Sequence, residues 1–222
     1  MTNLEDALLA VEAGADAVGF VFYEKSPRCV TVETVREIVA RLPREIQKVG
    51  VFAGESIPNA VDTARYAGIE ALQMYPLTYQ KYVAGDLKAY ASGIGGPKAY
   101  LAVPAALFLG EGSNNVSGFS QERPAGLFDT LFLDSGSSQQ PGGTGRTFNW
   151  HEAAMAVKEL SLRQKVVIAG GLTPQNVGEA IEILQPWGVD VVSGVEASPG
   201  KKDPEKVRAF VRAVREMDRK AS

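Results

Sequence analysis

Cysteine and histidine are almost missing from this sequence, with Cys29 and His151 as their only representatives among 222 residues. A single thiol cannot close an internal disulfide, and one cysteine with one histidine cannot supply the ligands of an ordinary zinc site. Metal chemistry is not expected. Long apolar runs are missing too: no stretch of roughly 18 apolar residues could cross a membrane. Met1 to Asp6 also lacks the basic and then apolar character of an export signal. Positive charge is not in excess either. A formal net charge of -3 and a pI near 5.4 leave no basic field for a polyanion, which argues against DNA or RNA as a partner. The expected setting is the cytoplasm, with no membrane and no nucleic acid involved.

What the sequence does contain is hydrophobic residues, 45% of the chain, arranged in two alternating rhythms. Residues 2–13 carry Thr2 and Glu5 in capping-box spacing and then Leu4, Ala7, Leu8 and Val11 on one helical face. The short apolar run from Ala17 to Phe22 suits a strand buried on both faces. Thr31 is placed to cap a second helix bearing Val35, Ile38, Val39 and Leu42, which Pro43 helps to end. A strand from Lys48 to Phe52, a helix from Ile57 to Ala67 and a strand near Ala71 to Met74 follow. A further helix is read around Tyr79 to Ala91. Strands are expected at Ala99 to Val103, Thr130 to Asp134, Lys165 to Ala169 and Val189 to Val192. Helices are read at Trp150 to Leu160, behind Thr173 and Pro174, and behind Asp203 and Pro204.

Two Gly-, Ser- and Pro-rich stretches, Gly110 to Gly126 and Ser135 to Thr147, read as long loops. The second directly follows a strand, where barrel enzymes keep their working loops. Seven strands, each followed by a helix, leave one helix in front with no strand before it. An α/β fold follows: a single domain over 1–222, built as a TIM-type (β/α)8 barrel whose first strand is missing from this chain. The alternative is a doubly wound open sheet.

Candidate site residues cluster at strand ends. Gly170 and Gly171 follow one of the last two strands, and Ser193 and Gly194 follow the other. Glycines let backbone N–H groups approach an anion, and a short helix near Val195 would point its positive end at the same spot. The two pairs together favour a phosphorylated small molecule, although either alone could simply make a tight turn. Asp134 ends an apolar strand at the barrel mouth, which suits a general acid and equally a carboxylate capping its own turn. Arg28 could grip a carboxylate in a two-pronged pair or sit on the surface. Cys29 shows no feature that would lower its pKa, and His151 reads as a solvated residue in a first helical turn. Phe20, Phe22 and Phe52 lie in apolar runs and read as core.

These residues resemble the phosphoribosylanthranilate isomerase family over nearly the whole chain. The likeness rests on Thr2-Asn3-Leu4-Glu5-Asp6-Ala7, on Gly14 to Phe22, on Lys25-Ser26-Pro27-Arg28, and on Val49-Gly50-Val51-Phe52. It continues in Leu133-Asp134 with Gly142-Gly143-Thr144-Gly145, in Phe148-Asn149-Trp150, in Ala169-Gly170-Gly171-Leu172, and in Ser193-Gly194-Val195-Glu196. The resemblance implies an aldose–ketose isomerase of tryptophan biosynthesis that carries out a cofactor-free Amadori rearrangement. By the same token Asp134 would protonate the ribose ring oxygen and Arg28 would meet the anthranilate carboxylate. Gly170, Gly171, Ser193 and Gly194 would hold the phosphate, and the protein would be a monomer or homodimer.

The family's general base is a cysteine in a Lys-Ile-Cys-Gly-Ile-Thr-like strand just before the position of Thr2. Met1 falls where that segment's last apolar residue would be, and Cys29 does not match the base. The expectation is a natural start upstream of Met1; with Met1 as the start, little isomerase activity is expected. The competing reading is a catalytically silent phosphate-binding barrel, or a partner subunit lacking the base. A further departure is Gln73-Met74-Tyr75-Pro76, where the family commonly has Gln-Leu-His-Gly.

Overall fold

The computed structural model describes residues 1–75, 97–107, 128, 130–136 and 147–221. Among them a curled parallel sheet of seven strands runs in sequence order: β1 (Ala17–Val21), β2 (Gln47–Ala53), β3 (Ala71–Tyr75), β4 (Lys98–Pro104), β5 (Thr130–Asp134), β6 (Lys165–Ile168) and β7 (Gly188–Val189). Every neighbouring pair in this sheet is parallel. Strict sequential order with helices outside is barrel winding, not the doubly wound alternative, in which the strand order reverses. The edges β1 and β7 do not pair with each other. Met1 lies along the free edge of β1, its nitrogen donating to the Gly19 carbonyl.

Period-two alternation sorts each strand between two cores. Val49, Ala71, Tyr100, Ala102, Phe132 and Val167 form a cluster of their own, distinct from their strand neighbours. Leu131, Leu133, Val166 and Ile168 pack instead with Val157, Val177, Val207 and Phe210 of the helices. On the same helix-facing side, at the other end of the sheet, Phe20, Phe52, Leu72 and Met74 meet Ala7, Val35, Ile38, Ala60 and Ala64. Each such side chain stabilises the fold by about 1.5–3 kcal/mol, so the two outer cores fix the sheet's curvature. Phe22 stacks on Phe52 at 4.9 Å between ring centroids, and the three expected core phenylalanines indeed lie in this layer.

The helices are α1 (Leu4–Ala13), α2 (Val32–Val39), α3 (Ile57–Ala67), α4 (Trp150–Ser161), α5 (Val177–Leu184) and α6 (Pro204–Ala221). Thr31 caps α2, and the Asp203 carboxylate caps α6 by accepting from Glu205 and Lys206. Two expected starts are corrected. Asn3, not Thr2, caps α1 by accepting from Asp6 N at 2.8 Å, because the Thr2 hydroxyl is committed to the Gly200 carbonyl. Helix α5 begins at Val177: Thr173 to Asn176 form a separate turn, in which Thr173 N donates to the Asn176 side chain. The last strand is also shorter than expected, pairing only at Gly188 and Val189. The helix expected around Tyr79 to Ala91 and the loop from Gly110 to Gly126 lie outside the described residues.

Helices α1 and α6 join the two ends of the open sheet. Leu9 shares a core with Val207 and Phe210, and Arg215 donates to both Asp16 oxygens at 2.8 Å and to the Gly14 carbonyl at 2.9 Å.

Candidate active site

Register brings the polar residues to one rim. Leu133 pairs with Ile168 and Ile168 with Val189, so the next residues, Asp134, Ala169 and Asp190, stand level at the C-terminal ends of three adjacent strands. Asp134 is 4% exposed. One of its oxygens accepts from the Gly136 amide at 2.7 Å and the other from the Tyr75 hydroxyl at 2.9 Å. One oxygen caps its own turn, as one of the two sequence readings of Asp134 has it, and the other belongs to a side-chain network. Burial raises its pKa above the ordinary carboxylate value, with the Gly136 and Tyr75 hydrogen bonds working against the rise. Burial and the Asp134 charge push Tyr75 well above the usual phenol value, so it remains a donor.

Asp190, which the sequence reading passed over, is pushed up to about 6 by burial and by the Asp134 charge, with Lys202 opposing. Such a shift means that the native state binds this proton more tightly than the unfolded chain. Stability contributed by the proton is present below pH 4 or so and is lost as pH rises through about 6. Asp190→Asn is therefore expected to stabilise the fold at pH 7.5 by roughly 2 kcal/mol and to change it little at pH 4. Thermal melts at the two pH values check this; an equal effect at both would remove the buried-carboxylate account.

The two glycine pairs sit at the same rim and interlock with neighbouring loops. Gly170 and Gly171 adopt φ of 85° and 66°. A Cβ on Gly170 would fall 2.1 Å from Ser135 Oγ and 2.5 Å from Ser135 N, and one on Gly194 would fall 1.8 Å from the Leu172 carbonyl oxygen. Side chains from elsewhere hold each loop. Asn176 donates to the Gly171 carbonyl at 3.1 Å while accepting from Thr173 N at 2.7 Å, and Lys202 Nζ donates to the Val192 carbonyl at 2.9 Å. Among the described residues the amides of Gly170, Gly171, Ser193 and Gly194 donate to no protein acceptor, which leaves them available to an anion. The short helix expected near Val195 is a 3-10 turn that starts earlier, over Ser193–Val195.

Arg28 reaches this end of the barrel from the loop after β1, and its fork is engaged by Glu196 at 2.8 and 2.6 Å. Cys29 is exposed and lines an open groove of about 620 Å³ with Thr2, Asn3, Pro27, Thr31 and Gly200. Neither Asp134 nor Arg28 faces that groove. His151 is exposed in the first turn of α4, as its position in sequence suggested. The segment Gly142 to Gly145 lies outside the described residues. No group of three or more potential metal ligands occurs among the described residues, and no helix there is long and apolar enough to cross a membrane.

A parallel β/α barrel with a buried carboxylate and two glycine loops on one rim belongs to the class of barrel enzymes that act on phosphorylated small molecules. The family model for N-(5'-phosphoribosyl)anthranilate isomerase matches residues 1–84 and 109–213, and the chain belongs to that family. The isomerase of Pelobacter propionicus is 41% identical over 218 residues, which span 97% of this chain and 93% of that protein. The crystal structure of the Thermotoga maritima enzyme superposes with a TM-score of 0.78 at 33% identity, covering 97% of this chain and 96% of the other. A second solved structure of the family, in complex with reduced 1-(o-carboxyphenylamino)-1-deoxyribulose 5-phosphate, gives a TM-score of 0.74 at 32% identity over 97% of this chain and 95% of the other.

Proposed function

We propose that this chain forms the catalytic barrel of a phosphoribosylanthranilate isomerase, with Asp134 as general acid. The observation that carries the reading is the Asp134 carboxyl: buried, raised in pKa, and level with two loops whose amides are open to a phosphate. In the Amadori rearrangement the acid protonates the ribose ring oxygen, the ring opens, and a proton leaves the adjacent carbon as the ketose forms. The upward direction of the Asp134 pKa, set by burial, favours holding the proton for that first step. Gly170, Gly171, Ser193 and Gly194 would grip the phosphate through backbone N–H groups, and Arg28 would meet the anthranilate carboxylate.

The family resemblance assigns proton abstraction to a cysteine upstream of the position of Met1. The deciding experiment follows the loss of phosphoribosylanthranilate fluorescence with the chain alone and with the chain preceded by a Lys-Ile-Cys-Gly segment. Turnover in either form supports the enzyme, and zero turnover in both removes it in favour of a phosphate-binding barrel.

Tyr75 supplies a finer test. Its hydroxyl donates to Asp134 and in turn accepts from Gln73 Nε2 at 3.3 Å. The phenol stabilises the ionised carboxylate, so Tyr75→Phe should raise the pKa of Asp134 and move the alkaline limb of the pH–rate profile upward. A limb that stays put or moves down would detach Tyr75 from the acid.

A further inference from the structure

A second buried charge cluster is built on the hairpin that follows β7. Glu196 opens β8 (Glu196–Ser198), Lys202 closes β9 (Lys201–Lys202), and the antiparallel register sets the two residues opposite each other. Arg28 Nε and Nη2 donate to the two Glu196 oxygens. Glu196 takes two more donors, the Gly200 amide at 3.3 Å and Lys202 Nζ at 3.5 Å. The three side chains are only 15% (Arg28), 5% (Glu196) and 7% (Lys202) exposed. Burial alone would raise Glu196, but the Arg28 hydrogen bonds and the Lys202 charge hold it below its ordinary value, so it is ionised. The hairpin is itself anchored, since the Lys202 amide donates to Asp6 at 2.8 Å and the Gly200 carbonyl accepts from Thr2.

A guanidinium has two edges that fit a carboxylate. Glu196 occupies the Nε–Nη2 edge, which leaves Nη1 and the outer edge as donors. Arg28 and Glu196 alone would be electrically neutral and would offer little to a second anion. Lys202 brings the three side chains to one plus, a charge that Asp190 also feels. We propose that Glu196 is a positioning residue that, together with Lys202, fixes Arg28 so that its outer edge receives the substrate's carboxylate. This rests on the reading of Arg28 as the carboxylate-binding residue. The opposite role, in which Glu196 stands in for the substrate carboxylate and is displaced by it, would strand a buried anion held by four donors.

The test measures calorimetric affinity for reduced 1-(o-carboxyphenylamino)-1-deoxyribulose 5-phosphate and for inorganic phosphate. It uses the full chain and its Glu196→Ala, Glu196→Gln, Arg28→Ala and Arg28→Ala/Glu196→Ala variants, with folding followed by circular dichroism. Glu196→Ala should weaken the analogue about tenfold or more and leave phosphate binding within about twofold. Glu196→Gln, which keeps one acceptor for Arg28, should fall between and decides the matter if the alanine variant does not fold. In the Arg28→Ala background Glu196→Ala should add less than about twofold, because an indirect effect vanishes with its intermediary. Tighter analogue binding by Glu196→Ala, an undiminished effect without Arg28, or a parallel loss of phosphate affinity would each overturn the proposal. A wild-type chain that binds phosphate but not the analogue would remove the reading of Arg28 and this proposal with it. Wild-type binding that neither Glu196 variant alters would sink the positioning role alone.

Discussion

Asp134→Asn is expected to lower turnover by about 10²–10⁴-fold, the usual worth of a positioned acid, while phosphate affinity stays close to that of the parent chain. The substitution keeps the side chain's size and an oxygen to accept from the Gly136 amide, so the turn after β5 retains its hydrogen bond. It removes the dissociable proton and turns the oxygen that accepts from Tyr75 into a donor, from which the Tyr75 hydroxyl can accept by rotating. Stability should hold or rise, because a buried carboxyl with a raised pKa disfavours its own ionised form in the native state, and the amide carries no such penalty. This combination separates loss of chemistry from loss of fold. The measurements are kcat, phosphate binding and thermal midpoint in the form of the chain that turns over. Full activity in the asparagine variant would end the assignment of Asp134 as the acid.

The periodic parts of this fold were legible in the sequence and the long-range polar contacts were not. All seven strands and most helices follow from apolar spacing, because a strand buried on both faces and an amphipathic helix each leave a local pattern. Caps were legible where one candidate stood alone, as at Thr31 and Asp203. At the start of α1 two polar residues compete, Thr2 and Asn3, and the choice of Asn3 depends on Thr2 being drawn to Gly200, almost the whole chain away. The candidate site divides in the same way. Asp134 and the glycine pairs announce themselves by ending apolar runs. Tyr75 was noticed only as a departure from a family pattern, yet it bonds Asp134 across 59 residues of sequence. Glu196 stands in the sequence only as the end of a family motif and Lys202 draws no notice, until the hairpin brings them to Arg28, 168 residues from Glu196. Asp190 had one available signal, a carboxylate inside the last apolar run between Val189 and Val191, level with Asp134 once the register is counted.

Gly194→Ala should be the most damaging single methyl in the described part of the chain. The added carbon would lie 1.8 Å from the Leu172 carbonyl oxygen, 2.9 Å from its carbon and 3.2 Å from Thr173 Cα, all of them backbone atoms that no rotamer change can move aside. Relief requires shifting the loop that Asn176 holds through Gly171 and Thr173, at a stability cost of about 1–3 kcal/mol or more. Phosphate affinity should fall with it, since both sets of open amides sit on the two loops being pushed apart. Gly188→Ala is the contrast: its Cβ would meet Val167 Cγ2 at an ordinary 3.5 Å, and the change should stay within about 0.5 kcal/mol. Denaturant unfolding and phosphate titration of both variants check the pair; equal behaviour of the two would refute the interlocking of the rim. The same logic extends across the sheet. Gly194 lies against the loop after β6, and Gly170 of that loop lies against Ser135, the residue after Asp134. The two glycine loops and the turn that holds Asp134 therefore form one stacked unit, and a displacement at β7 would be passed through these contacts to the Asp134 carboxyl.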